Sequence, residues 1–200
     1  MIASPPPPVP YPATVLVVAG RTVDLTARVL VAGVVPPPRF GREGEVLATA
    51  KALRDAGADL VDVSLPSRLF GPVAHADDLP VCARVPTAAA AAEARRAGAA
   101  VVLVPATEAA EAAETSAPAG AAGATVVVVD DLADLPAGRA VAEPLGLALA
   151  IDAARWHGPE AVGREAAAIA GGCRLVRTAD VRLSRRVAET MAAVLGARRP

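Results

Sequence analysis

The sequence contains no asparagine and no glutamine, and Lys51 is its single lysine. Without side-chain amides, every site that needs an amide donor and acceptor pair is excluded. Aromatic residues make up 2% of the 200 residues, so the core must be built from alanine, valine and leucine. Two cysteines and two histidines are too few for a disulfide framework or a zinc site. We therefore expect no metal site and two buried free thiols.

The charges nearly cancel, with 20 basic residues against 21 acidic residues and a net charge of -1. This balance argues against nucleic acid as a partner, because nucleic-acid-binding proteins usually carry a basic excess. No apolar run reaches the roughly 18 residues that a membrane span needs, so we expect no membrane association. The first residues lack the basic region of a signal peptide. Together these features predict a cytoplasmic protein.

The chain divides into a short arm and one domain. Residues 1–13 are rich in proline and predict a disordered arm, whereas residues 14–197 predict a single domain. Thr14–Ala19 and Arg21–Asp24 predict a small hairpin, split by Ala19 and Gly20. Seven short apolar strands follow the hairpin: Arg28–Val35, Asp59–Leu65, Pro80–Val85, Ala100–Val104, Thr125–Val129, Gly146–Ile151 and Arg174–Val176.

Strands that are apolar along their whole length and alternate with helices indicate a parallel sheet covered by helices. The two possible architectures are a (β/α) barrel and a doubly wound open sheet. A full barrel takes about 250 residues, so we expect an α/β, TIM-barrel-like fold that is incomplete, with about seven parallel strands. Pro66–Leu79 shows no helical pattern, and Asp130–Pro144 looks too short for its expected element. Helices are predicted at Glu43–Ala56, Thr87–Ala97, Thr107–Thr115, Pro159–Ala170 and Val181–Leu195.

Three charged residues lie in or near the predicted strands. Asp62 is enclosed by Leu60, Val61 and Val63, and an inward carboxylate is costly unless it is paired or used. Arg84 and Arg177 lie near the ends of two other strands. Either Asp62 forms an ion pair with an arginine that closes the barrel mouth, or it binds a ligand; both interpretations stay open. Asp130, Asp131, His75 and His157 are interpreted as surface residues.

Four segments carry a family resemblance when they are taken in order. They are Thr22–Thr26 with the strand ending Gly33-Val34-Val35, then Arg54–Val63, Pro80–Val104 and Leu175–Val181. The sequence resembles dihydropteroate synthase, the pterin-binding (β/α)₈ enzyme of folate biosynthesis, over most of residues 22–195.

The resemblance also implies which of the family's functional positions have changed. The pterin-binding aspartate of the third strand corresponds to Arg84, and the pterin-binding asparagine of the fourth strand corresponds to Leu103. The asparagine of the first loop, for magnesium and pyrophosphate, falls on the Pro36–Pro38 stretch. The family's lysine falls on Ala154, beside Arg155. The strand that bears a second pterin aspartate has no counterpart, whereas Asp62, Arg177 and Asp180 are retained.

The replaced positions predict a shortened, degenerate member of the family. An arginine at the pterin position presents donors to the donors of the ligand and so opposes binding. We expect a pseudoenzyme without catalytic residues or cofactor, needing magnesium only if the family's activity survives. As in the family's homodimers, we expect a homodimer or a heterodimer with a complete synthase. The residual binding residues are Asp62, Arg177, Asp180, Arg155 and Arg84.

Two alternative functions are compatible with the sequence. One is an active transferase with a rearranged site, and the other is a different small barrel enzyme for a phosphorylated metabolite. Either would bind its substrate through Asp62, Arg155 and Arg177.

Overall fold

The computed structural model describes residues 15–36, 43–63, 73, 79–115 and 123–196. The proline-rich arm, the prolines at 37 and 38, His75 and nearly all of the segment 66–79 lie outside the described residues. The division into an arm and one domain therefore stays a prediction.

Seven parallel strands form a closed barrel in chain order, and the last of them pairs with the first. An antiparallel hairpin precedes the barrel. Both the strand number and the hairpin predicted from the sequence are confirmed, and of the two architectures the barrel is the one observed. The hairpin strands are β1 (Val15–Val18) and β2 (Arg21–Asp24), and the barrel strands are β3 (Leu30–Val35), β4 (Leu60–Val63), β5 (Val81–Arg84), β6 (Val101–Pro105), β7 (Ala124–Val129), β8 (Ala148–Asp152) and β9 (Leu175–Thr178).

Six α-helices accompany the strands in the described part of the chain. Thr87 caps the second helix, since its hydroxyl oxygen accepts a hydrogen bond from the backbone N–H of Ala90 at 3.2 Å. None of these helices is long and apolar enough to cross a membrane. They are α1 (Glu43–Asp55), α2 (Ala88–Arg96), α3 (Ala109–Glu114), α4 (Leu135–Ala142), α5 (Pro159–Ala170) and α6 (Val181–Gly196).

The expectation that residues 130–144 are too short for their element is wrong. A 3₁₀ turn, Leu132–Asp134, leads directly into α4. Pro136 lies in the first turn of α4, where its missing N–H is not needed. Gly138 lets the helix approach the barrel, because a Cβ at this position would lie 2.5 Å from Val129 Cγ1. A helix of eight residues therefore fits this short connection.

Side chains alternate between the interior of the barrel and its helix-covered outer face, as the two-residue period of a strand requires. The interior is apolar at the N-terminal ends of the strands, and the hairpin adds Leu16 and Val18 to it. Since the hairpin leads directly into the start of β3, it covers the N-terminal end of the barrel. The inward residues include Leu30, Leu60, Val101, Ala148 and Leu175. The inward positions nearer the C-terminal ends of several strands are charged.

Candidate functional site

Five charged side chains converge at the C-terminal end of the barrel, which we call the mouth. Four lie on strands, and Asp130 follows β7 directly, two residues after the inward Val128. In barrel enzymes this end carries the active site. The four on strands are Asp62 in β4, Arg84 in β5, Asp152 in β8 and Arg177 in β9.

Arg177 joins two of the aspartates inside the mouth. Its Nε donates to Oδ2 of Asp62 at 2.6 Å, and its Nη1 donates to both carboxylate oxygens of Asp152 at 2.9 Å. The side chains of Arg177, Asp62 and Asp152 are only 10%, 0% and 7% exposed. The planar guanidinium therefore satisfies two buried carboxylates at once.

Arg84 joins the remaining aspartate to the same cluster. Its Nη2 donates to the carboxylate oxygens of Asp130 at 2.7 and 2.9 Å, and its Nη1 donates to Oδ2 of Asp152. Its backbone N–H also donates to Oδ1 of Asp62 at 3.3 Å. Because Asp152 contacts both arginines, the five side chains form one continuous network, which we call the mouth network.

The electrostatics of the mouth network follow from its burial. Burial raises the pKa of Asp62, and the charge and hydrogen bond of Arg177 oppose that shift. Burial also disfavours the charged form of Arg177, but attraction to Asp62 and Asp152 outweighs it and raises the pKa of the guanidinium. With two arginines and three aspartates, the ionised network carries a net charge of -1. Removing one partner from a buried ion pair typically costs about 3–5 kcal/mol.

The structure brings together three of the five residues that the sequence suggested. The ion pair considered for Asp62 is present and its partner is Arg177, while Arg84 also lies at the mouth. Asp180 instead lies at the start of α6, where its Oδ1 accepts a hydrogen bond from Leu183 N at 3.1 Å. Arg155 is exposed and forms no ion pair with any residue that the structure describes.

Sequence reasoning missed two members of the network. Asp152 ends β8 in register with the inward Ala148 and Ala150, so the two-residue alternation could have found it. Asp130 is exposed, as expected, but it is not a freely solvated acid because Arg84 holds both its oxygens. No local signal predicts that pairing, which depends on the barrel closing.

The loop after β7 has a second anchor beside the mouth. Asp131 accepts a hydrogen bond from Ala133 N, which lowers the pKa of its carboxyl, and Arg164 contributes in the same direction. Arg164 donates to Asp131 at 2.7 Å and lies 4.4 Å from the centre of the Trp156 ring. Asp130 and Asp131 therefore tie one loop both to the barrel and to α5.

A second buried polar cluster lies between α5, α6 and β9. Ser184 Oγ donates to Glu165 Oε1 at 2.9 Å and lies 2.9 Å from the hydroxyl of Thr178. Glu165 is 2% exposed, and its Oε2 has no hydrogen-bond partner among the described residues. Burial raises the pKa of Glu165 above its ordinary value of 4.5, against the hydrogen bond from Ser184.

The residues at the mouth do not fit the magnesium ion that the sequence resemblance implies. The carboxylates of Asp62, Asp130 and Asp152 already accept hydrogen bonds from guanidinium groups. No group of three or more acidic, cysteine or histidine side chains among the described residues could hold a metal ion. Pro36, where the resemblance places the family's metal-binding loop, offers only a backbone carbonyl.

Comparison with family models and with curated proteins finds no match for the sequence. Solved structures do match. Dihydropteroate synthase from Xanthomonas albilineans, in complex with 7,8-dihydropteroate, is 16% identical, with a TM-score of 0.66 over 94% of this chain and 100% of that chain.

Two further enzymes give the same result. Dihydropteroate synthase from Yersinia pestis is 17% identical, with a TM-score of 0.63 over 92% of this chain and 98% of that chain. The enzyme from Thermus thermophilus is 20% identical, with a TM-score of 0.61 over the same shares. At these identities the likeness is one of fold. The chain folds as a seven-stranded barrel of the dihydropteroate synthase type.

Proposed function

We propose that the protein is a non-catalytic relative of dihydropteroate synthase, connected with folate biosynthesis, whose own side chains occupy the pterin position. The observation that carries this proposal is the placement of Arg84. The resemblance assigns a pterin-binding aspartate to this position, and here the guanidinium is held in the mouth by Asp130 and Asp152.

The charges of the mouth network support the proposal. The amino-pyrimidine edge of a pterin presents donors that a carboxylate accepts, whereas Arg84 presents only donors. A pyrophosphate group is an anion, and the network already carries a net charge of -1. Admitting the ligand would require breaking the ion pairs of Arg84, of which the pair with the exposed Asp130 is worth about 0–1 kcal/mol and the pair with the buried Asp152 more. This cost adds to the lost carboxylate acceptor, at about 1–3 kcal/mol for each unmade hydrogen bond, against the roughly 8 kcal/mol of micromolar affinity.

The alternative of an active transferase, or of another enzyme for a phosphorylated metabolite, has less support. It requires Asp62, Arg155 and Arg177 to hold one anionic substrate. Arg177 is committed to two aspartates, and Arg155 is exposed and unpaired among the described residues. A phosphorylated ligand would have to displace carboxylates that are already buried against the same guanidinium.

Calorimetry with the pterin pyrophosphate substrate and magnesium tests the proposal. We expect no heat of binding, and no product in an assay with 4-aminobenzoate, under conditions in which a complete synthase gives both. Micromolar binding or product formation would overturn the proposal. A panel of sugar phosphates and nucleotides in the same calorimetric assay tests the alternative, because saturable binding that is lost in Arg155→Gln, a change at an exposed residue, would favour it.

The proposal extends to a partner and a location. A barrel without a working site can still act by association, and the partner we propose is a second copy or a complete synthase. Both cysteines, Cys82 and Cys173, are free and buried, which suits the reducing cytoplasm. Size-exclusion chromatography of the chain alone, and mixed with a complete synthase from the same source, tests the partner. A monomer in both runs would refute it.

A further inference from the structure

A cavity of about 480 Å³ lies at the opposite end of the barrel from the mouth. Its wall includes Arg28 and Val29 before β3, Gly57, Ala58 and Asp59 before β4, and residues of α6. Asp59 and Asp62 lie at opposite ends of β4, so the cavity and the mouth network share no side chain. The volume falls in the range of small-molecule sites.

A buried carboxylate organises the floor of this cavity. The side chain of Asp59 is 10% exposed, and its two oxygens accept hydrogen bonds from Arg28, from Arg185 and from the backbone N–H of Val31, the last at 2.8 Å. Arg185 is held further by the carbonyl oxygen of Gly57, which accepts from its Nε at 2.9 Å and from its Nη2 at 2.7 Å. The guanidinium of Arg185 is therefore fixed in place before any ligand arrives, whereas Arg28 is held by Asp59 alone among the described residues.

The floor keeps unused hydrogen-bonding capacity. Of the charged side chains that line the cavity, Arg28 and Arg185 are positive whereas Asp59 and Glu189 are negative, so the lining is neutral overall. Nη1 of Arg185 and most N–H groups of Arg28 have no partner among the described residues. Neither Nη1 of Arg185 nor the unpaired N–H groups of Arg28 are buried, so these donors are open to solvent. Arg28 is 56% exposed and Arg185 is 17% exposed.

The remaining wall sets the size and charge of the ligand. It is built mainly from small apolar side chains: Ala27, Val29, Ala58, Ala188 and Ala192. Glu189 also lines the cavity and forms no ion pair with any described residue. Because the lining is neutral overall, the negative charge of Glu189 disfavours a dianion such as phosphate more than a monoanion that reaches the guanidinium N–H groups. Guanidinium forks match the planar geometry of a carboxylate.

We propose that this cavity, hereafter the Asp59 cavity, is a second binding site for a small monocarboxylate with a compact apolar body. The carboxylate accepts hydrogen bonds from the free N–H groups of Arg28 and Arg185. The apolar body packs against Ala27 and Ala192, the apolar lining residues that are not buried. The site does not depend on the mouth, so ligand binding in the Asp59 cavity and the proposed loss of pterin binding are tested separately.

Ligand-observed NMR and calorimetry with benzoate as the probe test this site. We expect benzoate to bind with a Kd on the order of 1 mM, the strength of a small fragment. Benzylamine, with the same ring and a positive charge, should not bind, and inorganic phosphate should bind at least about tenfold more weakly. No benzoate binding at about 10 mM, or equal binding of all three probes, would overturn the proposal.

Two variants locate the binding. Arg28→Gln should weaken benzoate binding about tenfold, the effect of losing one charge-assisted hydrogen bond. Ala192→Leu should abolish it by filling the cavity. The matched controls, Arg96→Gln and Ala193→Leu, change exposed residues away from the cavity lining and should bind benzoate like the wild type. Unchanged affinity in either test variant, with the fold verified by circular dichroism, would place the binding elsewhere and refute the assignment.

Discussion

Arg177 contacts two buried aspartates, so its removal tests whether the mouth network holds the barrel together. Arg177→Met leaves Asp62 and one side of Asp152 without a counter-charge, and we expect a loss of about 3–5 kcal/mol in the free energy of unfolding. Urea denaturation measures it. Arg96→Gln, an exposed control, should stay within about 0.5 kcal/mol of the wild type. A loss below about 1 kcal/mol for Arg177→Met would contradict a stabilising role.

Asp62 and Arg177 should also depend on each other. Replacing both residues, as Asp62→Leu with Arg177→Met, removes the uncompensated carboxylate, so the double variant should be more stable than Arg177→Met alone. If the stability losses of Asp62→Leu and Arg177→Met simply add in the double variant, Asp62 and Arg177 have no coupling energy.

The buried Glu165 makes the free energy of unfolding depend on pH, and the sign of this dependence follows from its raised pKa. Its pKa is raised by burial from 4.5, so the folded state binds more protons than the unfolded state above that pH. This group therefore lowers the free energy of unfolding as the pH rises from about 4.5 through the raised pKa. We expect Glu165→Gln to remove this decline and to be more stable than the wild type at about pH 8. Thermal unfolding between about pH 4 and pH 8 measures it, with exposed Glu160→Gln as control. Parallel wild-type and Glu165→Gln profiles would contradict the assignment.

The contact between α4 and the barrel depends on the absence of a side chain at Gly138. In Gly138→Ala the new Cβ would lie 2.5 Å from Val129 Cγ1 and 3.2 Å from Leu149 Cδ1. We expect overpacking to destabilise the protein by about 1–3 kcal/mol, despite the better helix propensity of alanine. Gly163→Ala in α5 is the matched control, because nothing lies within 4 Å of its Cβ. It should stabilise by about 0.5–1 kcal/mol. Chemical denaturation compares the two, and equal effects would refute the close approach of α4.

The strands and most helices could be predicted because their signals are local. Short, mainly apolar runs mark β3 to β9, and Thr87 marks the start of α2. Helix α4 was missed because residues 130–144 looked too short for an element, whereas Pro136 fits the first helical turn and Gly138 lets the short helix approach β7 closely. Asp152 and Asp130 were missed as site residues for a similar reason: their partners are 25 to 68 residues distant and meet them only when the barrel closes.

The whole barrel depends on closure at both ends, by the mouth network at one and by the hairpin at the other. Leu16 is 6% exposed and belongs to the barrel interior, while Val17 on the same strand is 54% exposed. We expect Leu16→Ala to cost about 2–4 kcal/mol and Val17→Ala less than about 0.5 kcal/mol. Urea denaturation measures both. Equal losses would show that the hairpin does not cover the barrel.

The network at the mouth also constrains how this sequence can change. A single Arg84→Asp reversion would leave Arg177 as the one arginine among four aspartates, so the net charge of the network would change from -1 to -3. Carboxylates that share a site oppose each other's ionisation, and Arg177 already holds both Asp62 and Asp152. A pterin-binding mouth would therefore need at least one further substitution that restores a positive charge or removes an aspartate.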